Sequence, residues 1–307
     1  MNSYSEYIRL MGNHFIFTAC HEDEMYCKKS ISAGIEEVRR IESLLSTYID
    51  DSFTSLINRH AGIRPVEVPL EMLQLIQRSK KISELTDGAF DISYGGIDAD
   101  FFNFNQSMQT LPDPTKALSA TRLVNFQNII LDADNHTVYL KEKGMRIGFG
   151  GIGKGYAADQ AKKVMVDHGI LHGVVNASGD LTAWGYQANG KPWTIGIANP
   201  DLKNHMIGKF EIHNGSAATS GDYEKYVTIG GKRYSHTINP RTGMPAEGLK
   251  SVTVISPLAE ICDALTTPVI IMGAAAGLHL INQIKHVEAV VIDNKNTVYF
   301  SNNINIS

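Results

Sequence analysis

The chain has 307 residues, 43% of them hydrophobic and 20% charged, which suffices for one large domain or two ordinary ones and excludes a disordered polymer. Its net charge of −4 is spread without a basic stripe, which excludes nucleic acid as a substrate. The three cysteines, Cys20, Cys27 and Cys262, form no CxxC pair and are odd in number, so neither a disulfide framework nor a zinc site is expected.

The first residues carry no basic start, apolar run or cleavage site, so the default expectation is a cytoplasmic protein. A chain trimmed of an export signal, and so periplasmic or membrane-anchored, would read the same. His14 to Ala19 reads as a strand, and Ile31 to Leu45 places apolar residues at helical spacing. A second helix over Glu71 to Thr86 runs into the turn Asp87-Gly88 and the short apolar run Ala89-Phe90-Asp91-Ile92. Asn128 to Leu131 and Thr137 to Leu140 read as strands joined by hairpin chemistry.

The second half is expected to hold a helix over Gly155 to His168, strands at Gly173 to Val175 and Trp193 to Ile197, and a helix over Ala259 to Ile284. Strands at Ala289 to Ile292 and Val298 to Phe300 close the chain. The apolar stretch Pro268 to Ile281 is too short to span a membrane and reads as buried helix, so no transmembrane segment is expected. Strands arrive as hairpins more often than in strict alternation with helices. The expected class is therefore α+β, with mixed or antiparallel sheets packed against helices. One domain over 1–307 is expected, leaving open a bilobal form with halves near 1–147 and 148–307.

Three segments carry chemistry. Gly148-Phe149-Gly150-Gly151-Ile152-Gly153-Lys154-Gly155 runs from a strand into a helix, where glycines admit close backbone approach and helix amides favour phosphate. It matches two nucleotide-binding patterns, but Gly155 stands where a P-loop needs Ser or Thr. The acidic residue expected at the end of the next strand of a dinucleotide fold comes late, as Asp180. Asp263 and Thr267, four apart on the last long helix, put two hard oxygens on one face, a pattern suited to Mg²⁺ and equally to capping. His236, among polar residues before a proline turn, is compatible with a general base.

Taken together, these segments resemble the ApbE family, the FAD:protein FMN transferases. The resemblance runs in order through Met11-Gly12, Ser46-Thr47-Tyr48 with Asp51-Ser52, Thr86 to Asp91, Gly150 to Asp159, Asn176 to Asp180, Thr219 to Tyr223, Tyr234 to Gly243, Ser251 to Val254 and Asp263 to Thr267. It implies an ApbE-like, T-fold-related architecture and an FAD site lined by Met11, Tyr48, Ala89, Phe90, Asp91, Lys154 and Ile238. It further implies Mg²⁺ held by Asp263, Thr267, the oxygen of Thr266 and the carbonyl of Gly151. The implied reaction is transfer of FMN from FAD to a Thr or Ser hydroxyl of an acceptor protein, releasing AMP, with His236 taking the proton.

The implied acceptors are respiratory or redox subunits with a short Thr/Ser flavinylation motif. Alternatives are hydrolysis of FAD to FMN and AMP, a non-catalytic FAD-binding protein and, on the glycine pattern alone, a nicotinamide dehydrogenase. Three positions depart from the family pattern: Gly148 and Asn239 stand where Asp is usual, and Pro268 follows the metal-binding Thr.

Overall fold

The computed structural model describes residues 1–96, 110–202, 205–221, 226–230, 232–235 and 237–304. The chain opens with a hairpin, β1 (Asn2–Leu10) and β2 (Asn13–His21), and enters α1 (Glu24–Leu45). Asp23 caps that helix, its carboxylate accepting the Tyr26 N–H at 3.1 Å. Such a cap contributes about 1 kcal/mol. Ile31, Ile35, Val38, Ile41 and Leu45 form its buried stripe.

There follow α2 (Phe53–Arg59), β3 (Val66–Glu67), α3 (Leu70–Leu85), α4 (Pro114–Ala120), β4 (Ile129–Asp132) and β5 (Thr137–Leu140). The second half comprises α5 (Gly153–Asp167), β6 (Gly173–Ala177), β7 (Asp180–Trp184), β8 (Trp193–Ala198), β9 (Met206–Ile212) and β10 (Asn214–Gly221). Then come β11 (Tyr226–Ile229), β12 (Lys232–Ser235), β13 (Leu249–Ser256), α6 (Ala259–Ile281), β14 (Glu288–Asp293) and β15 (Val298–Phe300).

The frame is an eight-stranded sheet in the order β1-β2-β6-β7-β10-β13-β14-β15, with every neighbouring pair antiparallel. The expected α+β class is the one observed. The opening hairpin docks beside β6 through pairs such as Phe15 with Ala177, so one sheet draws on both halves of the chain. The main core, on the helix side, includes Phe15, Phe17, Ile35, Val38, Ala157, Ala161, Leu265 and Val269. On the opposite face, Leu181, Ala183, Ala217 and Val290 meet Ile197, Phe210 and Ile212 of the β8–β9 hairpin.

Being covered on both faces, β7 has all five residues buried. Its alternation sends Leu181 and Ala183 to the hairpin and leaves Asp180, Thr182 and Trp184 for the helix side. There Lys162 of α5 donates to the Thr182 hydroxyl at 3.4 Å.

Polar links tie the helices across the core. Arg78 of α3 pairs with the buried Glu260 of α6 at 2.6 Å, and the Tyr156 hydroxyl of α5 donates to Glu71 at 2.6 Å. All three cysteines are buried free thiols. One helix among the described residues, α6, is long and apolar enough to cross a membrane, and 56% of its most apolar window is buried inside the fold. The single helix expected from Ala259 to Ile284 is in fact kinked: Gly273 has φ 80° and ψ 169°, and the helix ends at Ile281. The left-handed φ at Gly273 is open to a residue without Cβ.

Candidate active site

The glycine-rich segment splits into two functions. A Cβ at Gly150 would meet nothing within 4 Å, and at Gly148 or Gly151 only ordinary contacts at 3.6 Å, to Thr47 and Phe90. These glycines, with no left-handed φ among them, leave open space. Gly155 differs: a Cβ there would lie 2.1 Å from the Ala259 carbonyl oxygen. Its bare backbone lets the start of α5 cross the start of α6 in contact, which is the physical reason a P-loop Ser or Thr has no place at 155.

That close crossing brings the Gly155 N–H to 3.0 Å from the Asp263 carboxylate. The Ile152 and Gly153 amides go to the Phe149 carbonyl. Amides expected to cradle a phosphate are thus partly engaged inside the protein, and the positive end of α5 faces Asp263.

Asp263 is 4% exposed. Burying a carboxylate costs several kcal/mol unless it is paired and hydrogen-bonded. Compensation comes from Gly155 and from Lys154, whose Nζ stands 3.5 Å from Asp263 Oδ1 while making a closer ion pair with Asp180. Thr266 next to it is turned inward, its hydroxyl donating to the Asp263 carbonyl at 3.0 Å and meeting the Ser220 hydroxyl at 2.9 Å. Only its backbone oxygen would serve a ligand.

The start of α6 has no side-chain cap of its own. Asp159 of α5 supplies one, accepting the Ala259 and Glu260 N–H groups at 3.1 and 2.9 Å. Burial pushes its carboxyl from the ordinary 3.8 to about 6, against the lowering effect of those hydrogen bonds.

Above this crossing lies a cleft of about 390 Å³. That size falls within the range of small-molecule sites, about 300–1,000 Å³. Its walls are Thr47, the run Ala89 to Ile92 with Tyr94 and Gly95, the turn residues Gly148, Gly150 and Gly151, then Thr237, Ile238 and Pro240, and Thr267 and Ile271 of α6. A second recess of about 330 Å³ shares Ala89 and Ile271 with it and is rimmed by Asp87 and Arg241.

The Ala89–Ile92 wall is held rigidly. The Phe90 N–H donates to the Thr86 hydroxyl at 3.0 Å, and Asp91 accepts from the Ser93 N–H and hydroxyl and from the Phe126 N–H, all within 2.8 Å. Burial raises the Asp91 pKa, partly offset by these donors. Tyr94, another lining residue, is 38% exposed, and burial raises its hydroxyl to about 12 against the lowering effect of a hydrogen bond with the Ile238 backbone.

Of the residues expected at the site, Ala89, Phe90, Asp91, Gly151, Ile238 and Thr267 line this one cleft. Lys154, Asp263 and Thr266 are not among its lining residues and sit together at the α5–α6 crossing. Met11 is partly buried, with a left-handed φ of 50°, and packs on the main core. Tyr48 is 96% exposed beside the lining residue Thr47. His236 lies outside the described residues. Sequence reasoning missed Tyr94, Gly95 and Ile271, and named Thr47, Ile92, Thr237 and Pro240 only as parts of longer segments. Tyr94 and Gly95 directly extend the Ala89–Ile92 run, and that continuity was the available signal.

Comparison with known proteins decides the family. The ApbE family model matches residues 11–291. The chain belongs to the ApbE family. A relative named FAD:protein FMN transferase, from Klebsiella pneumoniae strain 342, is 30% identical over 300 residues, covering 97% of this chain and 92% of that protein. Another of that name, from Salmonella typhimurium, is 33% identical over 236 residues, covering 75% of this chain and 67% of its own. The crystal structure of the ApbE protein from Thermotoga maritima superposes with a TM-score of 0.88 at 28% identity, over 98% of this chain and 97% of that one.

Within this ApbE chain no group of three or more His, Cys, Asp or Glu side chains suits a metal among the described residues. A site for Mg²⁺ would therefore rest on mixed oxygens. Gly151 and Thr267 line the cleft, and the buried Asp263 stands one helical turn before Thr267 on α6; a carboxylate, a hydroxyl and a backbone carbonyl are hard-oxygen donors of the kind this ion takes.

Proposed function

We propose that the cleft binds FAD with its pyrophosphate against the Gly148–Gly151 turn and the Thr267 face of α6, and that the protein transfers FMN to a Thr or Ser hydroxyl of an acceptor protein. The observation that carries this reading is the convergence, in one cleft, of a glycine turn with open space above it, an aromatic wall at Phe90 and Tyr94, and Thr267 beside the buried Asp263. The names of the curated relatives support the same chemistry.

In the reaction, the acceptor oxygen forms a bond to the FMN-side phosphorus, the bond from that phosphorus to the bridging oxygen breaks, and AMP leaves with the electron pair. His236 takes the hydroxyl proton. Asp263, Thr267 and the Gly151 carbonyl, with the Thr266 oxygen, would hold Mg²⁺, which when bound supplies positive charge to the pyrophosphate. Phe90 and Tyr94 would give the flavin an apolar wall, and the exposed Tyr48, next to the lining residue Thr47, would stack on its ring. The acceptor segment is a short Thr/Ser motif of a redox subunit.

The test is incubation of the protein with FAD, Mg²⁺ and a Thr-containing acceptor peptide, followed by mass spectrometry of the peptide and assay of AMP. A peptide heavier by FMN, with equimolar AMP, is the expected result. AMP with an unlabelled peptide would make water the acceptor and the protein an FAD pyrophosphatase, and FAD binding without AMP would reduce it to a binding protein. In the same assay His236→Ala is expected to lower transfer more than FAD affinity.

A further inference from the structure

At the α5–α6 crossing, two buried carboxylates share one ammonium. The Asp180 and Asp263 side chains are each 5% exposed, and Lys154 reaches both, the pair with Asp180 being the closer and that with Asp263 3.5 Å long. With the Gly155 N–H also on Asp263, two carboxylates, one ammonium and one helix end meet here among the described residues. Any cation approaching Asp263 meets the Lys154 ammonium already 3.5 Å from it.

Asp180 is fixed where it stands. It opens β7 directly after Ser178 and Gly179, both at left-handed φ of 57° and 106°, and it pairs with Ala177 across the tight β6–β7 turn. The Gly179 N–H donates to the Asn176 side chain at 2.8 Å, bracing the turn. The strand beyond is buried on both faces, so the carboxylate has no room to follow the lysine. Lys154, on the first turn of α5, is the more exposed partner, at 25% against 5% for Asp180.

We propose that Asp180 is a positioning residue: it holds the Lys154 ammonium off Asp263 and thereby sets how readily Asp263 accepts a divalent cation. The inference rests on the Mg²⁺ reading of the site given above. Without Asp180 the ammonium closes on Asp263 and competes with the metal. Without Lys154 the competition ends, and Asp180 loses most of its influence on the metal.

The experiment is titration of FAD-free protein with Mn²⁺, followed by electron paramagnetic resonance of the free ion, for the wild type, Asp180→Asn, Lys154→Met and the double variant. Coupled sites typically influence each other about 5- to 150-fold. Asp180→Asn is expected to weaken Mn²⁺ binding about tenfold, Lys154→Met to tighten it, and Asp180→Asn in the Lys154→Met background to change it by less than about threefold. A purely structural Asp180 would shift thermal unfolding and leave this coupling at zero.

Unchanged affinity in Asp180→Asn overturns the proposal, and so does an equal loss in both backgrounds, which would make Asp180 a direct ligand. If Asp180→Asn does not fold, Lys154→Met decides alone, since unchanged or weaker binding in it removes the competition. Failure of the wild type to bind Mn²⁺ overturns the metal reading itself, whereas wild-type binding that Asp263→Ala abolishes but Asp180→Asn leaves intact refutes only the coupling.

Discussion

Asp263 and Tyr48 are both expected at the site, yet one is 4% and the other 96% exposed. Around Asp263 every neighbour is predetermined by packing: Gly155 admits a helix crossing, Asp159 caps the helix that carries the carboxylate, and Lys154 and Asp180 complete the charge. Around Tyr48 little is predetermined. Its N–H donates to the Ser46 hydroxyl at 3.1 Å, and the ring stands in solvent. The difference teaches that the Asp263 side is organised by packing alone, where small displacements cost most, whereas the Tyr48 side has no packing to hold it and on the proposed function would gain its contacts from the ligand.

The largest expected effect comes from breaking the rigid end. Gly155→Ala puts a methyl 2.1 Å from the Ala259 oxygen, so either the helices part or the backbone strains. Overpacking of this kind costs about 3 kcal/mol or more, readable in denaturant unfolding, and FMN transfer should vanish with it. Wild-type stability in this variant would show that the α5–α6 crossing yields freely.

Next in size, Asp263→Ala should abolish Mg²⁺-dependent turnover, by about a hundredfold or more, while fluorescence titration still finds FAD bound. Equal loss of both would turn Asp263 from a metal residue into a scaffold for the cleft.

Asp159→Asn tests the cap with a smaller effect. Because the Asp159 pKa in the fold lies above its ordinary 3.8, the folded state holds this proton more tightly than the unfolded chain does. Its contribution to stability is therefore greatest at acid pH and declines as pH rises from 3.8 through about 6. The Asn variant should lose this decline and, having one acceptor oxygen for two N–H groups, lose about 1 kcal/mol at neutral pH. Unfolding curves measured at several pH values check both the slope and the offset.

The smallest expected effect on stability belongs to Tyr48→Ala, within about 0.5 kcal/mol. FAD affinity should nonetheless fall about tenfold, as a lost aromatic stack predicts. A stability loss as large as that of Asp159→Asn would remove the contrast between the two regions.

Much of the frame was legible in the sequence. The helical stripe Ile31 to Leu45 and the alternation of His14 to Ala19 both appear where expected, because one buried face leaves a clear period. Other elements left no such trace. β1, Asn2–Leu10, is an exposed edge strand of mixed polar and aromatic residues, held by its pairing with β2. β10, Asn214–Gly221, is made of small residues and is a strand because β7 and β13 flank it. The kink at Gly273 was hidden inside an unbroken apolar run.

By itself the sequence determined the α+β class, the glycine turn, the Asp263–Thr267 pair and, through the order of its motifs, the family. Those are properties of spacing and residue type, and they survive in one dimension. Only the tertiary structure decided that Gly148, Gly150 and Gly151 leave room whereas Gly155 lets two helices touch, and that Lys154 joins Asp180, 26 positions away, to Asp263, more than a hundred away. Contacts between residues that far apart depend on how helices and sheet pack, which no local period encodes.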